Sequence, residues 1–515
     1  MRLFLIVLLS ALPLQAAGRF LPGDSVRDRS RAGASVASER SVNALQVNPA
    51  LLGMADNLSF ALGWTSLNEN SEFDRGAPHV QSLEDQTVFN QQMANYTGSS
   101  GLAKSAYSER LLRAGMVYGF GTGGFRMGLG YAQLPVENHR FEANDPQRYR
   151  LIRSADEREQ LSFGLAGAFS RRFALGFGLH WERLRRVRRL MINTSPASDG
   201  NYFENPNKDH LVDITGTVPI GFGDNAFVPT ASFGLWARLF AGLELGLSVA
   251  LGGTGVSEDG NIDVLGLEPR DEDDSTSPIF ARRGVSETVS GTQATLTDGS
   301  PLQVRAGMRY QFSSWDLEFE WRMESWSADS QMRASPSATG LAWFPTPAEE
   351  SEEGVELGDM GDGRVLDSAM SFHLGSDIWL VPNGLALRLG GSMEYAPTTQ
   401  PDAAMFGGPR YGVGAGLSFT DRGYAIDLGY YHLFSEATEL TSGSLPLRNP
   451  SHSLAEAESD TLSVQNNGKY TSSHGFLGLG IRADMTTFAS RRKSQRKAWY
   501  QIWSKGTGGF GRGGF

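Results

Sequence analysis

From residue 315 to residue 324 the chain reads WDLEFEWRME, and every second residue is apolar. Trp315, Leu317, Phe319, Trp321 and Met323 fall on one side of an extended strand, and Asp316, Glu318, Glu320, Arg322 and Glu324 on the other. Faces this different imply a strand set between an apolar solvent and a wet interior. The alternation recurs in LSFALGW, QLSFGLAGAF, FALGFGLHW, LELGLSVAL, LQVRAGMRYQF, YGVGAGLSF and YAIDLGYY. It predicts fourteen strands, near 58–66, 111–119, 124–134, 159–170, 173–184, 230–240, 243–252, 301–312, 315–326, 368–380, 384–395, 410–420, 423–434 and 473–485. Most run about 9–12 residues, the span of a tilted strand through a hydrocarbon layer.

The links between these segments alternate in length. FGTGG, SRR, FAG, SS, VPN and DR follow the even-numbered strands, whereas the odd-numbered ones are followed by links of roughly 14 to 50 residues. Tight turns at one end and long loops at the other are the asymmetry of an outer-membrane barrel, and closure satisfies every backbone group inside a bilayer. The predicted fold is all-β, a 14-stranded antiparallel transmembrane β-barrel. The even strand count places both termini on the tight-turn, periplasmic side.

Composition sharpens this picture. No apolar run of 18 residues follows residue 20, and mean hydropathy is −0.28, which excludes helical spans. Glycine makes up 62 of 515 residues, about 12 % against an average near 7 %, and many of these glycines fall on the inward face, where they leave room for an inner plug or a ligand path. With no cysteine, disulfides and thiol chemistry are excluded. A net charge of −11 argues against nucleic acid as a partner. MRLFLIVLLSALPLQAA has the basic start, short apolar run and small residues of an export signal, cut after Ala16.

The stretches AGRFLPGDSVRDRSRAGASVASERSVNALQVNPALLGMADNLSFALGW, LALRLGGSMEYAPTTQPDAAMFGGPRYGVGAGLSFTDRGYAIDLGYYHLFSEATEL and NGKYTSSHGFLGLGIRADM, with the strand count, resemble the FadL/OMPP1 (TodX-like) family of outer-membrane transporters of long-chain fatty acids and hydrophobic compounds. The resemblance implies an N-terminal hatch, or plug, inside the barrel. It also implies passive uptake: ligand enters by the extracellular loops, binds above the hatch and leaves by a lateral opening at strand 3. The domains expected are a signal peptide (1–16), a hatch (17–57), the barrel (58–485) and a basic, Gly-rich periplasmic extension (486–515). Expected partners are a hydrophobic ligand, outer-membrane lipid and lipopolysaccharide, and the barrel-assembly machinery, with the chain itself a monomer. An alternative is a FadL-like barrel that serves as an envelope-assembly or surface-attachment partner.

By the motif, Asn48, Pro49 and Ala50 are hatch or gating residues, and Leu51, Leu52 and Met54 would floor an apolar pocket or staple the plug to the wall. Gly123, Gly124, Gly128 and Gly130 are candidates for a kink in strand 3. Arg183, Arg185, Arg186, Arg188 and Arg189 lie at the extracellular rim, where guanidinium forks suit lipopolysaccharide phosphate or a ligand head group. Inward arginines (Arg113, Arg126, Arg305, Arg309, Arg322 and Arg388) and inward acids, Asp427 among them, suit cross-paired charges that join plug and wall. The acidic runs 268–277 and 347–363 lack calcium-loop spacing, and the eight histidines lack metal spacing. His180 and His373 point inward, with no serine partner on the outer wall. No catalytic residue, metal or cofactor is expected.

Overall fold

A computed structural model of the chain describes residues 25–75, 101–120, 124–136, 138–143, 145, 151–193, 209–219, 229–265, 293–325, 333–337, 342–343, 355–356, 368–382, 384–395, 408–421, 423–440 and 468–485. Fourteen strands build the wall: β1 (Leu58–Arg75), β2 (Gly101–Gly119), β3 (Phe125–Leu134), β4 (Arg153–Ser170), β5 (Phe173–Asn193), β6 (Thr230–Phe240), β7 (Leu243–Ala250), β8 (Leu302–Gln311), β9 (Asp316–Ser325), β10 (Ala369–Trp379), β11 (Leu385–Glu394), β12 (Arg410–Asp421), β13 (Tyr424–Ser435) and β14 (Gly468–Asp484). Each pairs antiparallel with the next, and β14 returns to β1 in a ladder from Ser59↔Asp484 to Arg75↔Gly468. The barrel is closed: each of the fourteen wall strands has a neighbour on both sides over at least part of its length.

Its outer face is a belt of exposed apolar side chains, including Phe60, Leu62 and Trp64 on β1, Leu317 and Phe319 on β9, and Leu477, Leu479 and Ile481 on β14. The belt has limits. On β1 the outward residues change after Ser66 to Asn68, Asn70, Glu72 and Asp74, all exposed, so residues 67–75 rise beyond it. On β2 the exposed residues Lys104, Ser108 and Arg110 mark the same boundary. Five strands are much longer than the alternating segments that revealed them: β1, β2, β4, β5 and β14 run 17–21 residues. Beyond the rim β5 also pairs with strand Asp209–Val218, which pairs with residues 261–265; strand Gly253–Leu265 pairs in turn with Gln293–Ser300.

The tight turns hold glycine where the chain reverses in two residues: Gly242 and Gly423 both have φ of 91°, open to glycine at no steric cost. The tight-turn half of the lumen is filled by residues 25–57. This segment contains the short helices α1 (Val26–Ser30) and α2 (Ala44–Val47) and the 3₁₀ helix Pro49–Met54. It is almost entirely buried, and its apolar residues form one core with the inner wall, including Leu45, Leu51, Leu52, Val117, Ala166, Ala174 and Trp236.

Candidate functional site

The site has three parts: the filled half of the lumen, the polar chamber beyond it, and an interruption of the wall at β3. In the filled half, lumen-facing glycines let backbone meet backbone. A Cβ at Gly234 would collide with Asn48 Oδ1, one at Gly176 with the Pro49 and Ala50 main chain, and one at Gly390 with the Arg31 main chain. Asn48 is fully buried and uses its whole side-chain amide. Its Oδ1 accepts from Ala50 N at 3.1 Å and so caps the 3₁₀ helix, while Nδ2 donates to Val36 O at 2.9 Å and Leu235 O at 3.1 Å. Pro49 occupies the first helical position, where its missing N–H costs nothing.

Charge completes the attachment. Arg31, with no solvent exposure, reaches Asp316 and Glu318 at 2.9 Å and Asp377 at 3.0 Å. Burial alone would lower its pKa, but Asp377, Glu318 and Asp316 outweigh burial and hold it raised. Glu320 Oε2 accepts from Ser35 N and Val36 N, and Glu318 Oε1 from Ala37 N. Arg27 bonds Asp377 and Arg40 bonds Glu244, each at 2.9 Å. These arginines carry no motif, but the complement was visible: an arginine-rich leading segment and a strand, β9, with acids on its inner face.

Leu51 and Leu52 pack sideways against the wall: Leu52 lies over Gly128 and Gly164, and Leu45 over Gly130 and Gly164. Neither Leu51, Leu52 nor the half-buried Met54 lines the chamber. Gly128 and Gly130 sit in unbroken ladders with β2 and β4, and their missing side chains make room for those leucines. Gly124 lies in the turn before β3, where a Cβ would meet the Ala168 main chain; Gly123 lies outside the described residues.

The strand leaves the wall elsewhere. The β2–β3 ladder ends at Arg113↔Ala132 and the β3–β4 ladder at Leu134↔Arg158, directly before Pro135. Proline has no N–H for a ladder and favours such an exit. Residues 135–136 and 138–139 are buried, and Leu112 N, next along β2, is satisfied by the Gln133 side chain at 2.8 Å. Between β2 and β4 the continuous wall strand therefore ends at this level, at the upper edge of the apolar belt, and above it only the two-residue strand His139–Arg140 pairs with β4 among the described residues. Beside this side window an apolar stripe of the inner wall, Leu67, Leu111, Tyr431, Leu433 and Phe476, is buried together with Ala32 of the filled half. A second patch stands higher, where Phe73 stacks on Tyr470 at 4.1 Å.

The chamber is a cleft of about 90 Å³ on the long-loop side of the filled half. Gln46 is its floor, Leu134 and Pro135 border it at the window, and Gln160, Glu182, Arg305 and Glu324 are among its polar walls. The polar groups are largely committed to one another: Arg158 and Gln160 to Glu182, and Gln303 to Glu324. His180 has a hydroxyl on each ring nitrogen, Ser162 at 2.9 Å and Ser232 at 2.8 Å, and His373 lies between Ser371 and Ala32 O. These serine partners face the lumen, not the outer wall.

The rim arginines divide between two faces. Arg186 and Arg188 point inward and share Asp156, whereas Arg183 and Arg185 are exposed outside beside Glu159 and Glu157. Arg189 pairs with Asp213 of the strand beyond the rim. Of the other inward arginines, Arg309 and Arg388 are buried in wall carboxylates, Arg113, Arg305 and Arg322 are buried, and Arg126 reaches Ala55 O at 3.2 Å. The basic block of the C-terminal extension, residues 1–24 and nearly all of the acidic runs lie outside the described residues.

No family model matches the sequence, and no curated protein matches it. Solved structures do. A FadL homologue of Pseudomonas aeruginosa superposes with a TM-score of 0.66 at 15 % identity, over 91 % of this chain and all of that one. The Pseudomonas putida toluene transporter TodX gives 0.55 at 13 %, over 91 % and 100 %. The Ralstonia pickettii toluene transporter TbuX gives 0.53 at 13 %, over 90 % and 98 %. The chain thus has the fold of these barrels over nearly its whole length, which agrees with the resemblance drawn from the sequence.

Proposed function

We propose that the chain is a passive outer-membrane channel for long-chain fatty acids or similar hydrophobic molecules. Ligand enters between the extracellular loops, passes along the apolar stripe above the hatch (residues 17–57) and leaves sideways through the window where β3 departs. The observation that carries this reading is the coincidence of the two features: the break in wall-strand pairing beyond Leu134 lies beside Leu67, Leu111 and Phe476, at the edge of the apolar belt. A hydrophobic molecule gains about 0.8 kcal/mol for each CH₂ removed from water, so a short apolar track ending in lipid needs no energy coupling. The hatch blocks the direct route, with Asn48, Pro49 and Ala50 as its fastening. Exposed Arg183 and Arg185 suit lipopolysaccharide phosphates at the rim. The structural neighbours named as transporters of toluene, and the FadL homologue, support a transport role; no step here calls for catalysis.

The test is oleate uptake by cells with and without the gene in a strain lacking other such channels. Uptake that depends on the gene supports the reading, and equal uptake contradicts it. A second reading, attachment or assembly partner, draws on the small, charge-packed chamber. It predicts unchanged uptake together with a defect in envelope composition.

A further inference from the structure

The described residues just past β3, 135–136 and 138–140, do not leave the wall empty; they lie across it. Asn138 N donates to Glu69 Oε2 at 2.9 Å. The Asn138 side chain donates to Asp156 O at 3.2 Å and accepts from Asp156 N at 2.6 Å. Arg140 N donates to Ser105 Oγ at 2.7 Å, and His139 and Arg140 pair with Ser154 and Arg153 of β4. This flap is therefore tied to β4 by main chain, and to β1 and β2 by polar contacts of Glu69 and Ser105 and, at its far end, by Phe141 packed on Phe73, Ala103 and Tyr470.

Glu69 stands in unusual surroundings. It is 1 % exposed and occupies a thin polar layer, with Leu67 and Phe476 below and Phe73 and Tyr470 above. The groups facing it come from every neighbouring element. His139 Nδ1 of the flap is 3.1 Å away, and His474 Nε2 of β14 is 3.6 Å away. Ser71 flanks it on the same face of its own strand, Arg410 of β12 acts at longer range, and Glu109 lies diagonally across the β1–β2 ladder beside Tyr107. Glu109 Oε2 is itself buried with no hydrogen-bond partner among the described residues.

We propose that Glu69 is the positioning residue that latches the flap across the side window, and that ionisation of Glu69, with Glu109 as the like-charged neighbour that sets its midpoint, releases it. The inference rests on reading the window as the exit. A neutral carboxyl can accept from Asn138 N and tolerate a dry layer, whereas two neighbouring carboxylates between apolar strata repel and draw in water. The direction of each titration agrees. Burial, only partly offset by the two flap groups His139 and Asn138 N–H, pushes Glu69 up to about 7; burial, with Glu157 and Glu69, pushes Glu109 up to about 7. A group that holds its proton more tightly with the flap closed favours closure at low pH, and that preference is lost as pH rises through the closed-state value. Acid keeps the flap shut, and alkali loosens it.

The test is amide hydrogen exchange of residues 138–140 in the full chain in lipid nanodiscs, from pH 5 to pH 8.5, corrected for the intrinsic rate. Protection in the native protein should fall at least about tenfold across this range, against a ceiling of about 75-fold for one carboxyl that titrates near 7 closed and near 4.5 open. In Glu69→Gln, whose amide retains an acceptor for Asn138 N, protection should be flat, and in Glu109→Gln the midpoint should move to lower pH. Constant protection in the native protein, or an unaltered pH profile in both variants, overturns the latch. Exchange reads the flap whether or not anything is transported. Oleate uptake at both pH values, measured separately, therefore distinguishes failure of the latch from failure of the transport reading.

Discussion

The filled half of the lumen and the flap at the side window are both chain segments held against the same wall, but by different means. The filled half is fastened by Arg31 on three carboxylates, by Asn48 on Val36, Ala50 and Leu235, and by glycines that admit its backbone. The flap is held toward β1 and β2 by Glu69 and Ser105, with Phe141 packed on Phe73 and Ala103 at its far end. Many buried, mutually dependent contacts make a segment a fixed part of the core, whereas a few contacts around one desolvated acid make a segment that can open. The contrast teaches where movement is cheap, and it places the cheap movement at the window.

The largest expected effect is from Arg31→Ala. It strands Asp316, Glu318 and Asp377 without their buried partner, and it should cost about 3–5 kcal/mol. Thermal unfolding in detergent should show it, with residues 25–57 opened to protease. Next is Leu52→Ala, which removes apolar volume over Gly128 and Gly164 and should cost about 2–5 kcal/mol in the same assay. Asn48→Ala removes the donor to Val36 O and Leu235 O and the acceptor for Ala50 N, and should cost about 1–3 kcal/mol. If the flap is the element that moves, none of these should alter its pH profile. Arg185→Ser at the exposed rim should change stability by less than about 0.5 kcal/mol, while weakening binding to lipopolysaccharide-containing vesicles.

Much of the barrel was legible in the sequence, because period-two alternation reports the solvents on a strand's two faces. For the same reason it missed the upper halves of β1, β2, β4, β5 and β14. Above Ser66 both faces of β1 meet polar surroundings, so the pattern fades while the hydrogen-bond ladder continues to Arg75. Inner-wall glycines showed that something had to fit close, but not whether it was strand curvature or the leucines of another segment. The run of five rim arginines reads as one cluster along the chain, yet alternation divides it between two faces. Glu69, Asn138 and His139 gave no signal, since their meeting depends on where β3 ends. Only Pro135 hinted at that exit.

The central claim is that release is sideways past the flap, with the hatch fixed. Because the chain has no cysteine, paired cysteines can lock one element at a time. One pair, Val26→Cys with Gly478→Cys, would join the hatch to β14, where a Cβ at 478 meets the Val26 side chain. The other, Ser105→Cys with Arg140→Cys, would join the flap to β2. Oleate uptake under oxidising and then reducing conditions decides between them. The account predicts normal uptake with the hatch locked and reversible loss with the flap locked; loss with the hatch locked and normal uptake with the flap locked would contradict it.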